Sequence, residues 1–260
     1  MKIMVTGGAG FVGTNLIKRL LKDGHNVVSL DNYSTGKKEN HQEGCVYHEC
    51  DIRDVIDFNY FMKDVDIVYH LGALARPSFI NPANTLEVGI LGTMNILEYA
   101  REQGCKVIFA GSSSVHSGKL KNPYTFSKVV ADDLCLLYKK HFNVDTKICR
   151  FYNVYGPHQL TEGEYCTVVG IFESQYKEGV ELTITGDGEQ RRDFTHIDDI
   201  VEGLILTAQS DNFEIDTIEL GRGNNYSINE LAEMFGGEST YIDVIYLRQI
   251  KTLVTNQKWT

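Results

Sequence analysis

Three side chains near the middle of the chain could carry out acid–base chemistry on a hydroxyl group. Tyr124 and Lys128 are four residues apart in NPYTFSK, at the start of a predicted helix, so they share one of its faces. A free phenol has a pKa of about 10 and becomes an effective base at neutral pH only where a positive charge stabilises the phenolate. Ser112 follows the predicted strand KVIFAG, where its hydroxyl could hydrogen-bond a substrate. Taken alone, a Tyr–Lys pair is more often a surface pair, and a serine after a strand often only caps a loop.

A glycine-rich turn near the N-terminus is typical of phosphate binding. Three glycines in the pattern GxxGxxG span the junction between the predicted strand KIMVTG and a helical run that begins FVG: Gly7, Gly10 and Gly13. Glycine allows a positive φ and a close approach to a pyrophosphate, and a helix N-terminus supplies N–H groups. Asp31 closes the second predicted strand, where a carboxylate would accept hydrogen bonds from a ribose and repel a 2′-phosphate. The pattern predicts NAD as the cofactor, although Lys37 and Lys38 leave NADP open.

The elements that must position these residues alternate between strands and helices. Helices are predicted from about Phe11 to Asp23, through Thr85 to Gln103 and from Tyr124 to His141, among the strands NVVSL, CVYHE, DIVYHL, KVIFAG and DTKICR. This alternation of strands and helices is typical of a parallel sheet, and the runs NVVSL and KVIFAG carry little polar alternation, as strands buried on both faces do. We therefore predict an α/β fold with a Rossmann-type, doubly wound parallel sheet over residues 1–157, to which 194–220 contribute. Residues 158–260 are predicted to form a small, reduced, discontinuous C-terminal cap that binds the substrate.

The charges and cysteines of the 260 residues exclude several classes of protein. Asp and Glu number 35 against 25 Lys and Arg, giving a net charge of −10, which is opposite to what a non-specific nucleic-acid or anionic-membrane binder needs. No apolar run reaches the ~18–20 residues of a membrane helix, and we predict no secretory signal. The six cysteines include no CxxC pair, which favours reduced thiols in the cytoplasm over a zinc site or a disulfide framework.

Several motifs in a fixed order resemble a known family. They are VTGGAGFVG, DNYSTG from Asp31, DIRD from Asp51, HLGALA from His70, GSSSVH, PYTFSK, RFYNVYGP from Arg150, GDGEQRRDF from Gly186 and NYSINELAEMF. On these motifs the chain is similar to the extended short-chain dehydrogenases/reductases of the NAD-dependent epimerase/dehydratase family, and most of all to the UDP-glucose 4-epimerase group. The resemblance covers nearly the whole chain.

The resemblance implies a role for each matching residue. Tyr124 would be the catalytic base, Lys128 would hold the nicotinamide ribose and tune the tyrosine, and Ser112 would hydrogen-bond the reacting hydroxyl. The implied NAD-binding residues are Gly7, Gly10, Phe11, Val12, Gly13, Asp31, Asn32, Asp51, Ile52, Leu71, Gly72, Ala73, Tyr124, Lys128 and Tyr152. The implied substrate-binding residues are Ser112, Ser113, Asn153, Arg192 and Arg248, with Asn153 and Arg192 on the diphosphate of a UDP-sugar.

The implied activity is NAD-dependent epimerisation of UDP-glucose or UDP-N-acetylglucosamine at C4, through a transient 4-keto sugar. Family members that dehydrate their substrate carry an Asp–Glu pair where this chain has Ser113 and Ser114, which disfavours dehydration. Two alternatives stay open. One is an enzyme similar to UDP-glucuronate decarboxylases, which share the first oxidation step, and the other is an NAD- and nucleotide-sugar-binding protein that has lost turnover. The resemblance also implies a homodimer, built from helices near Thr85–Gln103 and Tyr124–His141.

Three positions depart from the family pattern. The segment from Ser112 to Tyr124 is shorter than usual, and within it His116 replaces a tyrosine. Gly89 stands where the family has an asparagine near the cofactor. These departures leave the shape of the substrate pocket open.

Other polar residues have a structural interpretation that outweighs a functional one. His196, Asp198 and Asp199 have side chains that suit a metal, but we expect Asp198 or Asp199 to cap a helix instead. His70 ends an apolar strand and is expected in the core. Asp132 and Asp133 fall on a predicted helix and are expected to face solvent.

Overall fold

A computed structural model describes residues 1–54, 62–75, 81–163 and 165–243. Seven strands form its central sheet: β1 (Lys2–Thr6), β2 (Asn26–Asp31), β3 (Cys45–Glu49), β4 (Ile67–His70), β5 (Lys106–Ser112), β6 (Thr146–Phe151) and β11 (Thr217–Leu220). Their spatial order is β11–β6–β5–β4–β1–β2–β3, and every pair is parallel. Their carboxyl ends therefore lie along one edge, where ligands of such sheets bind.

Helices connect and cover the strands. They are α1 (Phe11–Lys22), α2 (Pro82–Leu86), α3 (Gly92–Gln103), α4 (Pro123–Phe142), α5 (Val168–Glu178), α6 (Ile197–Gln209) and α7 (Ile228–Phe235). One turn of π-helix, Glu87–Leu91, joins α2 to α3, and single 3₁₀ turns cover Lys38–Asn40 and Ser113–Ser117. No helix in the described parts of the chain is both long and apolar enough to cross a membrane.

The two faces of the sheet pack into two separate cores, because successive side chains of a strand point to opposite faces. Along β1, Met4 lies in the core beneath α3 and α4, whereas Ile3 and Val5 lie in the core beneath α1 and α6. Both faces are covered, so the inner strands are buried along nearly their whole length: all four residues of β4 are buried, as are four of the five residues of β1. The predicted Rossmann-type α/β fold is confirmed.

A third, smaller core lies beyond the main sheet. Here β8 (Leu182–Thr185) pairs with β13 (Ser239–Ile242) in parallel, and the apolar faces of α5 and α7 pack against it around Phe172. Two shorter pairs accompany it: β7 (Val154–Tyr155) with β10 (Thr195–His196), and β9 (Arg191–Arg192) with β12 (Tyr226–Ser227). Between these segments the chain returns to the main sheet through α6 and β11. The division of the chain into 1–157 and 158–260 stays a prediction.

Two expectations about polar residues on helices need correction. Asp132 does not face solvent: it is 4% exposed, because Arg150 from the neighbouring strand β6 covers it with an ion pair of 2.8 Å. The N-cap of α6 is His196, whose Nδ1 accepts a hydrogen bond from the backbone N–H of Asp198 at 3.3 Å. Asp198 and Asp199 lie in the first helical turn, where their negative charges interact favourably with the positive end of the helix dipole.

Candidate active site

The glycine turn after β1 is packed so closely that a Cβ would not fit at Gly7 or Gly13. Gly7 has φ +70°, and a Cβ there would lie 3.0 Å from the backbone of Gly72 in the loop after β4. A Cβ on Gly13 would lie 2.2 Å from the carbonyl oxygen of Gly7. Gly10 is the N-cap of α1 and is open apart from one contact at 3.3 Å. Glycine at positions 7 and 13 therefore lets the turn, the loop after β4 and the start of α1 pack closely against one another.

A cleft of about 440 Å³ opens at this turn. It is lined by most of the predicted NAD-binding residues: Gly7, Gly10, Phe11, Val12, Gly13, Asp31, Asn32, Ile52, Leu71, Gly72 and Ala73. The other predicted NAD-binding residues, Asp51, Tyr124, Lys128 and Tyr152, are not part of its wall. The cleft thus brings together the turn after β1, the end of β2 and the loop after β4, which are far apart in the sequence.

Asp31 is held rigidly at the end of β2. Its side chain accepts hydrogen bonds from the backbone N–H groups of Ala9 at 2.9 Å and Tyr33 at 2.8 Å. A Cβ on Gly36 would lie 2.8 Å from this carboxylate, so glycine lets the following loop pass close above it. Each carboxylate oxygen can accept a further hydrogen bond, which suits a ribose diol. Of the two nearby lysines, Lys37 lines the cleft, whereas Lys38 is paired with Glu49 at 3.2 Å.

The structure separates Asp51 and Ile52, which are both predicted to bind NAD. Ile52 lies in the wall of the cleft, but the Asp51 carboxylate is bound by Arg53 at 2.9 Å and by the amide of Asn32 at 2.8 Å. These hydrogen bonds hold the pKa of Asp51 well below its usual range. Arg53 also lines the cleft and was not predicted as a site residue. Its position in the motif DIRD, two residues after Asp51, could have indicated a place at the cofactor site.

The ends of β5 and α4 bring Ser112 and Tyr124 together. Asn122 caps α4 by accepting from the backbone N–H of Thr125 at 2.8 Å, which places Tyr124 in the first turn. Burial raises the pKa of the Tyr124 phenol, and a hydrogen-bonding interaction with Ser112 lowers it in part. The Ser112 hydroxyl also accepts from the backbone N–H of Ser114 at 3.2 Å, so the 3₁₀ turn after β5 fixes its position.

Lys128 lies one turn further along α4 and is 5% exposed. Its Nζ donates to the carbonyl oxygen of Ala110 at 2.6 Å and lies 4.6 Å from the ring centroid of Phe109. Burial lowers the pKa of Lys128 to about 8, while the nearby Asp132 charge raises it. Lys128 is therefore protonated in most molecules at neutral pH, despite its apolar surroundings.

A network of charged side chains extends from Asp132 across the ends of β6 and β11. Arg150 binds Asp132 through two nitrogens, at 2.8 and 3.1 Å, and reaches Glu219 at 3.0 Å. His116 contacts the same Glu219 oxygen at 3.1 Å, and its ring centroid lies 6.4 Å from that of Tyr152. Tyr152, predicted on the cofactor, thus packs within this network.

Of the described residues predicted to bind substrate, Ser112 ends β5, Ser113 and Asn153 follow β5 and β6, and Arg192 lies on β9. Ser113 begins the 3₁₀ turn, and the Asn153 amide donates to the carbonyl oxygen of Asp193 at 2.9 Å. Arg192 is exposed on β9, and its guanidinium donates to the backbone oxygen of Arg191, with no ion pair to any described residue. Arg248 lies outside the described residues. In the described segments, no group of three or more His, Cys, Asp or Glu side chains could hold a metal.

Comparisons with known proteins show the family of the chain. The model of the NAD-dependent epimerase/dehydratase family matches residues 3–221. A putative UDP-glucose 4-epimerase of Methanocaldococcus jannaschii is 32% identical over 262 residues, covering 92% of this chain and 85% of the relative. The crystal structure of the UDP-glucose 4-epimerase of Thermotoga maritima with UDP-glucose is 29% identical, with a TM-score of 0.87 over 94% of this chain and 86% of that one.

A UDP-glucuronic acid decarboxylase of Xenopus tropicalis is similar to the same degree. It is 32% identical over 269 residues, which cover 93% of this chain but only 62% of the decarboxylase. The family match extends over the glycine turn, the cleft, Ser112, Tyr124 and Lys128. The chain therefore belongs to the NAD-dependent epimerase/dehydratase family.

Proposed function

We propose that the chain is a nucleotide-sugar epimerase that interconverts the C4 epimers of UDP-glucose or UDP-N-acetylglucosamine. The observation that carries this proposal is the interaction between Ser112 and Tyr124, one helical turn before the buried ammonium of Lys128. This arrangement suits reversible proton transfer at a single sugar hydroxyl. The similarity to two UDP-glucose 4-epimerases supports the substrate class.

The cleft fits the family's NAD cofactor. Because Gly7 and Gly13 have no room for a Cβ and Gly10 is the N-cap of α1, the backbone there can approach a pyrophosphate closely. In our proposal this turn holds the pyrophosphate, Asp31 binds a ribose, and Ile52 packs against the adenine. When bound, NAD supplies a reversible hydride acceptor beside the sugar carbon.

Proton transfer in this proposal is carried out by Tyr124. Its phenolic oxygen removes the proton of the C4 hydroxyl, while the Ser112 hydroxyl holds the same sugar oxygen in place. Burial raises the pKa of the phenol and the interaction with Ser112 lowers it in part. In this proposal the positive charge of Lys128 further favours the phenolate. Once the 4-keto sugar has presented its other face, Tyr124 returns the proton to the oxygen. The phenolate is therefore regenerated for the next cycle.

Arg192 and Asn153 are proposed to hold the diphosphate of the substrate. A guanidinium binds two phosphate oxygens at once, and Arg192 is exposed at the substrate side without a partner carboxylate in the described structure. Ser113 and Ser114 place no carboxylate beside the sugar, which favours epimerisation over dehydration. The role predicted for Arg248 stays a prediction.

A second candidate reaction is the decarboxylation of UDP-glucuronate. The identity of 32% to a UDP-glucuronic acid decarboxylase favours this reaction. Decarboxylation also begins with oxidation at C4, so the same Tyr124, Ser112 and Lys128 would serve it. Decarboxylation differs in needing a cation near the sugar carboxylate. A protein that binds NAD and sugar nucleotide without turnover is the third candidate.

Proton NMR of the product separates these candidates. The full chain is incubated with NAD and, separately, UDP-glucose, UDP-N-acetylglucosamine and UDP-glucuronate. A change of the H4 coupling from axial to equatorial supports the epimerase and identifies its substrate, whereas UDP-xylose identifies a decarboxylase. Unchanged sugars with NAD bound would refute both enzymatic readings.

The matched control for this assay is Tyr124→Phe. Removing one hydroxyl should leave NAD binding intact and lower turnover by about 10²–10⁴-fold, since the base is lost. The rate is followed by the same NMR signals, and the NAD dissociation constant by calorimetry. A variant with a near-normal rate would contradict the assignment of Tyr124 as the base.

We also propose a cytoplasmic homodimer. All six cysteines are free thiols, which suits a reducing compartment. Leu91 and Met94 beside and on α3, and Leu137 on α4, leave 39%, 37% and 47% of their surface exposed, which suits pairing with the same helices of a second copy. Light scattering after size-exclusion chromatography tests this: a monomer mass would contradict the dimer.

A further inference from the structure

A chain of hydrogen bonds runs through the interior between the cofactor cleft and the helix that carries Tyr124. It connects Gly72, Thr6, His70, Thr93 and Gly89, and each of the three side chains is at most 1% exposed. The steps measure 3.0 Å from Gly72 N to Thr6 Oγ1, 2.8 Å to His70 Nδ1, 3.0 Å from His70 Nε2 to Thr93 Oγ1 and 2.7 Å to Gly89 O. Every polar atom of the three side chains has a partner in this chain.

The direction of each hydrogen bond follows from what each group can donate. A carbonyl oxygen only accepts, so the Thr93 hydroxyl gives its hydrogen to Gly89 O and must accept from His70 Nε2. Burial and the nearby Lys128 charge lower the pKa of His70 to about 3, so the ring is neutral and its Nδ1 accepts from Thr6. The Thr6 hydroxyl in turn accepts from the Gly72 N–H. The ring is thus fixed as the tautomer with hydrogen on Nε2.

One end of the chain holds the loop that lines the cofactor cleft. The backbone N–H of Leu71 donates to Thr6 O at 3.2 Å, and that of Gly72 donates to the Thr6 side chain. Gly72 in turn lies against Gly7 of the glycine turn. The position of the Thr6 hydroxyl therefore sets the position of this wall of the cleft.

The other end of the chain reaches the helix of the proposed catalytic residues. Gly89 belongs to the π-helical turn, and a Cβ there would lie 2.7 Å from the side chain of Ser127 on α4. Ser127 directly precedes Lys128, and its hydroxyl donates to the carbonyl oxygen of Tyr124 at 2.8 Å. A single turn of π-helix inside an α-helix is often found at functional sites. Here it brings the Gly89 backbone against α4.

We propose that His70 is a positioning residue that couples the Leu71–Gly72 wall of the cofactor cleft to the helix bearing Tyr124 and Lys128. The coupling rests on the proposed roles of those two residues. His70 stands between both ends because it closes β4, in register with Thr6 of β1 on one side and Phe109 of β5 on the other. Displacing the ring shifts the cleft wall and the π-helical turn together.

The test is a matched pair of threonine substitutions in the full chain. Thr93→Val removes the link to Gly89 without touching the cleft. The control is Thr207→Val. The Thr207 hydroxyl donates to the carbonyl oxygen of Gly203 at 2.7 Å, four residues earlier, as the Thr93 hydroxyl does to Gly89. Thr207 lies on the opposite face of the sheet, away from the hydrogen-bond chain. We expect Thr93→Val to weaken NAD binding about tenfold and Thr207→Val to change it by less than about twofold, by calorimetry without sugar. Equal NAD affinities in the two variants would overturn the proposal.

Two further measurements keep the test decisive. The double variant Thr6→Val/Thr93→Val should bind NAD no more weakly than Thr6→Val alone, because one broken link already uncouples the ends; additive losses would overturn the coupling. In the unaltered protein, ¹⁵N NMR should show hydrogen on Nε2 of His70 and none on Nδ1. Hydrogen on Nδ1 at neutral pH would overturn the proposal even if the variants do not fold. Since no sugar is present, a failure of the proposed epimerase activity leaves these outcomes unaffected.

Discussion

Replacing Lys128 with methionine should stabilise the protein at neutral pH while abolishing turnover. Burial lowers the pKa of Lys128 from its ordinary value of 10.5 to about 8. Each unit by which the pKa is lowered corresponds to about 1.4 kcal/mol. Keeping Lys128 protonated in the folded state at pH 7 therefore lowers the free energy of unfolding by about 3 kcal/mol. Methionine removes this cost but leaves Ala110 O without its 2.6 Å hydrogen bond, a loss of about 1 kcal/mol. We expect a net gain of about 2 kcal/mol in the free energy of unfolding.

The gain should depend on pH in one direction. Above about pH 8 the folded protein releases the Lys128 proton, while the unfolded chain keeps it up to about pH 10.5. The unaltered protein therefore becomes more stable, relative to the variant, as the pH rises through this range. The advantage of Lys128→Met should shrink and end as a deficit of about 1 kcal/mol, the lost hydrogen bond.

Urea unfolding followed by circular dichroism at about pH 7, 9 and 10.5 measures this difference. The control is Lys18→Met, which removes an exposed lysine from α1 and should change stability by less than about 0.5 kcal/mol. The reasoning is refuted if Lys128→Met is less stable than the unaltered protein at pH 7, or if its advantage is the same at all three pH values.

Two more substitutions test the two sides of the site. A Cβ in Gly13→Ala would lie 2.2 Å from Gly7 O, so we expect a loss of about 1–3 kcal/mol in the free energy of unfolding and a large loss of NAD affinity by calorimetry; unchanged affinity would contradict the packing argument. Arg192→Lys replaces a planar fork by a point charge and should raise the KM for the UDP-sugar about tenfold without changing NAD affinity. Its control is Arg191→Lys, because Arg191 is already paired with Glu230; equal KM values in both variants would remove Arg192 from the substrate site.

The sequence predicted the sheet because its physical signal is local. β5 carries the apolar run VIFAG, and a parallel sheet covered on both faces favours such runs. The glycine turn and Asp31 were also predictable, since each lies at the carboxyl end of a strand that could be located from its neighbours. Most of the predicted cofactor residues accordingly line one cleft.

The remaining features depend on partners that lie far away in sequence. Asp132 looked like a solvent-facing residue because its helix gives no sign that Arg150, on the next strand, covers it. His70 was correctly expected in the core, but its two partners, Thr6 and Thr93, lie 64 and 23 residues away. Threonines inside a strand and a helix have no distinctive spacing, so only the fold reveals that they flank one imidazole.

The order of the strands has a consequence for how the protein is made. Strands β1 to β6 are complete once the chain has been synthesised as far as Phe151. Residues 1–151 also contain Gly72 and Gly89, the two ends of the hydrogen-bond chain through His70. β11 only adds an outer strand to β6, after α5 and β8 of the third core have been synthesised and before α7 and β13 of that core. Because domains generally fold from the N-terminus during synthesis, most of the cofactor cleft can assemble on the ribosome before Arg192 and the third core exist. Early capture of the dinucleotide would then stabilise the nascent chain while its third core is still unmade.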